Sequence, residues 1–274
     1  MAGRSDQPPA NGPLVFAHRG SSALLPEHTL AAYRHAIDEG ADGLECDVRL
    51  TRDGHLVCVH DRRLDRTSTG RGLVSGYTLA ELDRFDFGSW HTPLTTDDLL
   101  TDVPADPDRT RLLTLDRLLD EVRAAGRPLE VLVETKHPSR FGGDVERRLV
   151  ALLRRHGLAE PRPDDPVRVT AMSFSPLAVR RVRELAPQLP TAFLMETLPR
   201  RMRVGRLPFG ARIAGPGIAL VKARPALVPA LRAAGNRVYV WTVNELADLE
   251  LVVSSGVDGV ITDRPATILH QLGR

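Results

Sequence analysis

The sequence predicts an α/β protein, a (β/α)8 TIM barrel with a small insertion after the second strand region. Three observations lead there. Short apolar runs alternate with helix-like stretches from Leu14 to the C-terminus, and that alternation implies a parallel sheet. Strand-type runs begin at residues 14, 43, 128, 167, 191, 211, 237 and 257, which makes eight units. The chain has 274 residues, and a barrel of this kind takes about 250. An open doubly wound sheet is the rival arrangement. No GxGxxG turn follows the first run, so a dinucleotide fold has little support.

The elements follow in order. Residues 1–13, MAGRSDQPPANGP, are polar and rich in Pro and Gly, and read as a flexible tail before a single domain over 14–274. The first strand is LVFA, 14–17. A helix over 29–39 is stopped by Gly40. GLECDVRL, 43–50, is the second strand, and HLVCVH, 55–60, follows the Asp53-Gly54 turn. Residues 61–110 break the rhythm with Arg, Asp, Thr, Gly and Pro and few apolar positions. A structureless loop that long is uncommon inside a compact domain, so the stretch reads as an excursion above one face, a small subdomain or lid. The rhythm resumes with a helix over 113–125, the strand PLEVLVET at 128–135 and a helix over 144–156. VRVTAM at 167–172 precedes a helix over 176–186 that opens on Pro176. TAFLM at 191–195 is followed by a weaker strand within 211–220 and a helix over 225–234. RVYVWT at 237–242, a helix over 245–255, VDGVIT at 257–262 and a short terminal helix complete the series.

Composition narrows the function. Net charge is +2, from 37 basic and 35 acidic residues, so no global field attracts nucleic acid or a membrane surface. Aromatics are 4% of the chain, and no basic stripe with interleaved aromatics suggests a nucleic-acid partner. Cys46 and Cys58 flank the Asp53-Gly54 turn; a hairpin could bring them close, and they read as free apolar thiols rather than a disulfide framework. The N-terminus has no signal-peptide core, and no apolar run approaches the ~18 residues of a membrane span. The expectation is a cytoplasmic enzyme acting on a small molecule.

Chemistry in such a barrel sits where strands end at the C-terminal face. Strand one runs into His18-Arg19-Gly20, the second holds Glu45 and Asp47, and the run after it ends in His60-Asp61. Further on, strands end in Glu134-Thr135-Lys136 and Trp241-Thr242. Side chains alternate along a strand, so Glu45 and Asp47 share one face, as do Glu134 and Lys136. Three carboxylates from two strands make an all-oxygen site suited to a hard divalent cation, Mg2+ or Ca2+. The alternative is that the acids pair with Arg19 and Lys136 in salt bridges. His18 and His60, each at a strand end beside a charged residue, suit an acid–base pair, although each could instead be satisfied by a backbone carbonyl. Arg19 offers a bidentate fork for phosphate and Lys136 a point charge.

The segments AHRGSSALLPEHTLAAY, GLECDVRLTRDGHLVCVHD, VETKHP, MSFSPLAVRRVR and VYVWTVNE resemble, in order, the motifs of the glycerophosphodiester phosphodiesterase family. The resemblance spans residues 14 to about 265 and includes the insertion after His60-Asp61. It implies a (β/α)8 barrel, a divalent cation, and hydrolysis of glycerophosphodiesters to sn-glycerol 3-phosphate and an alcohol. It implies Glu45, Asp47 and Glu134 as metal ligands, His18 and His60 as the acid–base pair, and Arg19 and Lys136 as phosphate contacts. Glu27 would support the site, and Phe174 and Trp241 would line the glycerol or leaving-group side. One departure is visible: His28 stands where the family usually has Asn, as in actinobacterial-type members.

The reaction the resemblance implies is attack on phosphorus by the neighbouring glycerol hydroxyl or by water, the former giving a cyclic phosphate that water later opens. Two other readings stay open. One is lysophospholipase D-like activity on lysophospholipids, which needs an apolar or membrane-facing surface from 61–110 or from the arginine-rich segment 196–210. The other is a non-catalytic phosphodiester-binding module.

Overall fold

The computed structural model describes residues 12–91, 106–198 and 205–274. Residues 1–11, on which the tail expectation falls, lie outside them, as do 92–105 of the insertion and 199–204 of the arginine-rich segment.

Strand β1 spans Leu14–His18, β2 Gly43–Leu50, and β3 Leu56–Cys58. Six more follow: β4 (Leu129–Thr135), β5 (Val167–Ser173), β6 (Thr191–Met195), β7 (Ile213–Pro216), β8 (Arg237–Val240) and β9 (Gly259–Thr262). Neighbours run β1-β9-β8-β7-β6-β5-β4-β2, and β1 also pairs with β2, so the sheet closes into the expected barrel. All eight barrel pairings are parallel. The ninth strand, β3, is antiparallel to β2 and lies outside the ring, the return arm of a hairpin over Asp53-Gly54. Parallel strands covered by helices are buried on both faces, which is why TAFLM and most of LEVLVET are buried outright.

Helices separate the strands. α1 is Leu30–Asp38, capped by Thr29, whose hydroxyl accepts from the Ala32 N–H. The insertion carries two single-turn helices, α2 (Leu79–Leu82) and α3 (Pro107–Thr110). α4 is Leu115–Ala124, α5 Asp144–Arg155 and α6 Pro176–Leu185, the last with Ser175 as cap and Pro176 in its first turn. The weak strand expected within 211–220 ends at Pro216. Gly217 then caps helix α7 (Ile218–Ala223), whose six residues, IALVKA, are too few to show helical periodicity in sequence. α8 (Leu227–Ala233), α9 (Leu246–Ser254) and α10 (Pro265–Gln271) complete the outer layer. Between β6 and β7 the described residues hold only a 3-10 turn, Pro208–Gly210.

Inside the ring, Phe16, Leu132, Met172, Ala192, Leu194, Ile213, Tyr239 and Ile261 pack as one cluster. Truncating such a side chain to Ala costs about 2–5 kcal/mol. Gly43 makes room for it: a Cβ there would sit 2.7 Å from the Phe16 ring and 2.2 Å from the Glu130 carbonyl. Two larger clusters fill the space between strands and helices, and Cys46 and Cys58 sit there as buried free thiols. The insertion has its own small core of Val57, Val59, Leu64, Val74, Leu82, Phe87 and Leu112. It is a packed excursion, which the charged, turn-rich sequence of 61–91 did not reveal by periodicity. No helix among the described residues is long and apolar enough to cross a membrane.

Candidate active site

The site is the upward continuation of the barrel interior. Two residues beyond Phe16 on its face of β1 comes His18. Two beyond Gly43 and four beyond it on β2 come Glu45 and Asp47. Two beyond Leu132 comes Glu134, then Lys136, and two beyond Tyr239 comes Trp241. Register completes the juxtaposition: His18 pairs with Glu45 and Asp47 with Glu134.

Carboxylate oxygens of Glu45, Asp47 and Glu134, all buried, lie within 4.8 Å of one another. Around them the two cations expected nearby do form ion pairs. Lys136 Nζ is 2.8 Å from Glu134 Oε1 and 3.3 Å from Asp47 Oδ1. Arg19 Nε is 3.1 Å from Asp47 Oδ2, but its N–H is not aligned on that oxygen and is left buried without a hydrogen-bond acceptor. Two cations against three carboxylates leave the cluster one charge short. Burial and the neighbouring Asp47 accordingly push the Glu45 carboxyl well above its ordinary range and the Glu134 carboxyl up to about 8. For Asp47 burial acts the same way, but His28, Lys136 and Arg19 outweigh it and hold its carboxyl well below the usual value. Crowded, buried, all-oxygen and under-compensated, this donor set fits a hard dication. The salt-bridge alternative accounts for Asp47 and not for Glu45.

Backbone strain aims two groups at Asp47. Arg19 (φ 59°) and His28 (φ 63°) both adopt the left-handed conformation, and the His28 N–H donates to the Arg19 carbonyl at 3.0 Å. Gly20 beside them allows the close approach of α1: a Cβ would meet Ala32 at 2.7 Å. His28 Nε2 lies 3.0 Å from Asp47 Oδ2, and its Nδ1 2.8 Å from the Tyr33 hydroxyl. The Tyr33 hydroxyl donates its own proton to the Glu45 carbonyl at 3.1 Å, so His28 bridges Asp47 to a hydroxyl that is itself fixed. Burial lowers the His28 pKa, more than Asp47 restores it. Glu27 accepts from Arg19 at 3.1 Å and from Arg66 at 2.7 and 2.8 Å. Burial alone would raise Glu27; the Arg66 hydrogen bonds, His28 and Arg19 instead bring it down to about 2.

Each of the two histidines is backed by a carboxylate. His18 Nδ1 donates to Asp263 Oδ1 at 2.6 Å, and His60 Nδ1 to Asp61 Oδ1 at 2.7 Å. Asp263 is itself fixed, accepting from Asn244 Nδ2 at 2.6 Å and from the Ser22 hydroxyl at 3.0 Å. The arrangement pins Nδ1 of both rings and leaves Nε2 for chemistry; His18 Nε2 stands 3.9 Å from Glu45. Burial, with Arg19 and Lys136 nearby, lowers the His60 pKa despite the raising pull of Asp47 and Asp61. Phe174 and Trp241 meet edge to face, centroids 5.4 Å apart, with Lys136 Nζ 5.9 Å from the Phe174 ring. The Trp241 indole N–H donates to the Gly215 carbonyl at 2.7 Å, which fixes the ring.

The structure thus gathers all of the expected residues at one barrel mouth. Sequence reasoning missed Asp263, Arg66, Asn244 and Tyr33, and gave Asp61 no role. Asp263 carried one usable signal, its place just past the last strand.

Comparison with known proteins agrees. The model of the glycerophosphoryl diester phosphodiesterase family matches residues 18–267. The "Probable glycerophosphodiester phosphodiesterase 1" of Mycobacterium tuberculosis (strain CDC 1551 / Oshkosh) is 49% identical over 261 residues, covering 95% of this chain and 93% of that protein. The glycerophosphodiester phosphodiesterase of Bacillus subtilis (strain 168) is 33% identical over 258 residues, covering 92% and 84%. Among solved structures, an Oleispira antarctica phosphodiesterase in complex with the product sn-glycerol-3-phosphate superposes with a TM-score of 0.78 at 25% identity, covering 96% of this chain and 98% of that one.

Proposed function

The chain belongs to the glycerophosphoryl diester phosphodiesterase family, and from that premise we propose a cation-assisted hydrolysis of glycerophosphodiesters by His18 and His60. It is a glycerophosphodiester phosphodiesterase. The products are sn-glycerol 3-phosphate and the alcohol of the headgroup. The observation that carries the catalytic reading is the pair of carboxylate-backed imidazoles, His18 on Asp263 and His60 on Asp61.

Glu45, Asp47 and Glu134 would hold the divalent cation, Mg2+ or Ca2+. When bound, it neutralises charge on the phosphoryl oxygens. Arg19, with its buried Nε–H free to donate, and Lys136 share that task from the protein side. Each histidine is held by its carboxylate in the tautomer with the proton on Nδ1, so Nε2 can take a proton. One Nε2 receives it from the attacking oxygen, and the other ring, protonated, gives it to the departing alkoxide. Attack by the adjacent glycerol hydroxyl gives a five-membered cyclic phosphate, which water then opens with the proton transfers reversed. Phe174 and Trp241 form the apolar wall against which the glycerol or the leaving alcohol rests.

A second reading, turnover of lysophospholipids in the manner of a phospholipase D, draws support from exposed apolar side chains in the loops that follow strand ends. Leu24, Trp90 and Phe174 lie there, and Leu177 and Leu246 open the helices α6 and α9 that follow. An assay of sn-glycerol 3-phosphate release from a panel of glycerophosphodiesters, run beside lysophosphatidylcholine with Mg2+, Ca2+ and Mn2+, tests the proposal. Preference for lysophosphatidylcholine would favour the second reading, and no turnover of any member would overturn both.

A further inference from the structure

One side chain outside the catalytic set touches both halves of it. Arg66, from the insertion, meets two separate carboxylates. Its NH1 and NH2 donate to Glu27 at 2.8 and 2.7 Å. Its Nε donates to Asp61 Oδ2 at 2.7 Å, and NH2 reaches Asp61 Oδ1 at 3.4 Å. Glu27 in turn holds Arg19, which stands against Asp47. Asp61 holds the His60 ring. An unbroken ionic chain therefore runs His60–Asp61–Arg66–Glu27–Arg19–Asp47, from acid–base residue to metal ligand. The Trp90 ring lies 5.9 Å from the guanidinium.

We propose that Arg66 is a positioning residue for the phosphodiester reaction, fixing His60 through Asp61 and Arg19 through Glu27 at the same time. This rests on reading His60 as an acid–base residue. The geometry needs a planar fork. Only a guanidinium presents donors along two edges, so that two carboxylates can each take two of them. A lysine ammonium supplies the charge without that shape. Glu27 and Asp61 belong to segments far apart in sequence, one before α1 and one after β3. Without Arg66 nothing described in the structure ties them together, and two carboxylates would face each other across the gap.

The same contact reaches the proton affinity of His60 through Asp61, alongside the larger effect of burial. The charged groups facing that ring are Asp61, Asp47, Arg19 and Lys136, with Arg49 donating to its backbone carbonyl at 2.7 and 2.9 Å. Arg66 neutralises Asp61 from behind. Its removal leaves Asp61 freer to stabilise the imidazolium, so the His60 pKa rises. The matching limb of the pH–rate profile moves to higher pH whether His60 is the acid or the base.

The test compares full-length Arg66→Ala, Arg66→Lys and Arg66→Gln with His60→Ala, measuring kcat, KM and the pH–rate profile, with folding checked by thermal melts. Arg66→Ala is expected to lower kcat about tenfold or more, raise KM, and move the His60 limb up by about half a unit. Arg66→Lys should recover part of kcat and leave KM raised. If the alanine variant does not fold, the lysine and glutamine variants are read in its place. Folded variants with wild-type kcat, KM and limb position, beside an inactive His60→Ala, would overturn the role of Arg66 alone. A fully active His60→Ala would instead overturn the acid–base reading beneath it.

Discussion

His18 and Asp263 are 245 positions apart in sequence, yet His18 Nδ1 and Asp263 Oδ1 lie 2.6 Å from each other. The contact crosses the seam where β9 pairs with β1 and the barrel closes. Closure of the fold and orientation of the imidazole proposed for catalysis are therefore the same event. Asp263→Asn keeps the shape but turns a carboxylate into a group that can present N–H to the ring, favouring the wrong tautomer. Turnover should fall about 10²–10⁴-fold with folding retained. Unchanged kcat in a folded variant would contradict the role given to Asp263.

The same carboxylate makes acid stability measurable. Burial would raise its pKa, but the His18, Asn244 and Ser22 hydrogen bonds lower it from 3.8 to about 2. A depressed folded-state pKa contributes stability that is present above the unfolded value and lost as pH falls through the folded one. The loss attributable to Asp263 therefore spans pH 3.8 down to about 2. Unfolding free energies of wild type and Asp263→Asn should converge over that window and stay parallel above it. A difference that persists undiminished at the acid end would contradict the assignment.

The acidic cluster predicts a cation effect that does not depend on turnover. Fully ionised, Glu45, Asp47 and Glu134 carry one more negative charge than Arg19 and Lys136 neutralise, which is why Glu45 and Glu134 hold protons more tightly than ordinary carboxyls and would give them up to a cation. Mg2+ or Ca2+ at about a hundred times its dissociation constant should stabilise the fold by about 2.7 kcal/mol, read as a rise in Tm. EDTA should abolish activity and the cation restore it. Glu134→Gln should lose the rise in Tm, and His28→Ala should weaken cation affinity about 10–100-fold by releasing Asp47. Activity and Tm indifferent to chelation would return the cluster to a salt-bridge network.

Phe174 is exposed at the mouth and held edge to face by Trp241. Phe174→Ala removes apolar wall and no acid–base group. KM should rise several-fold with kcat changed less, and melting should be unaffected. A collapse of kcat at constant KM would assign the ring a different task.

The barrel was legible because its signal is local. Runs such as GLECDVRL and LEVLVET carry strand length and apolarity in themselves, and parity along them placed Glu45, Asp47 and Glu134 together. His18 and His60 stood out for the same reason, each one step past an apolar run. Their partners did not. Asp263 becomes significant only when β9 lies beside β1, and no periodicity encodes ring closure. Arg66 sits among other charged residues of an irregular stretch, and its two partners come from different loops. His28 was visible as a departure from the family pattern, but its aim at Asp47 depends on a left-handed φ that sequence does not announce in a non-glycine residue. Helix α7 was hidden by its shortness, six residues with Lys222 as the single charged position.

The central claim is that both carboxylate-backed histidines perform the proton transfers. Steady-state release of sn-glycerol 3-phosphate from a glycerophosphodiester by His18→Ala and His60→Ala, each with cation present and each shown to melt cooperatively, tests it most directly. Each variant should lose at least about 10²-fold in kcat. Near wild-type turnover by either one would contradict the account.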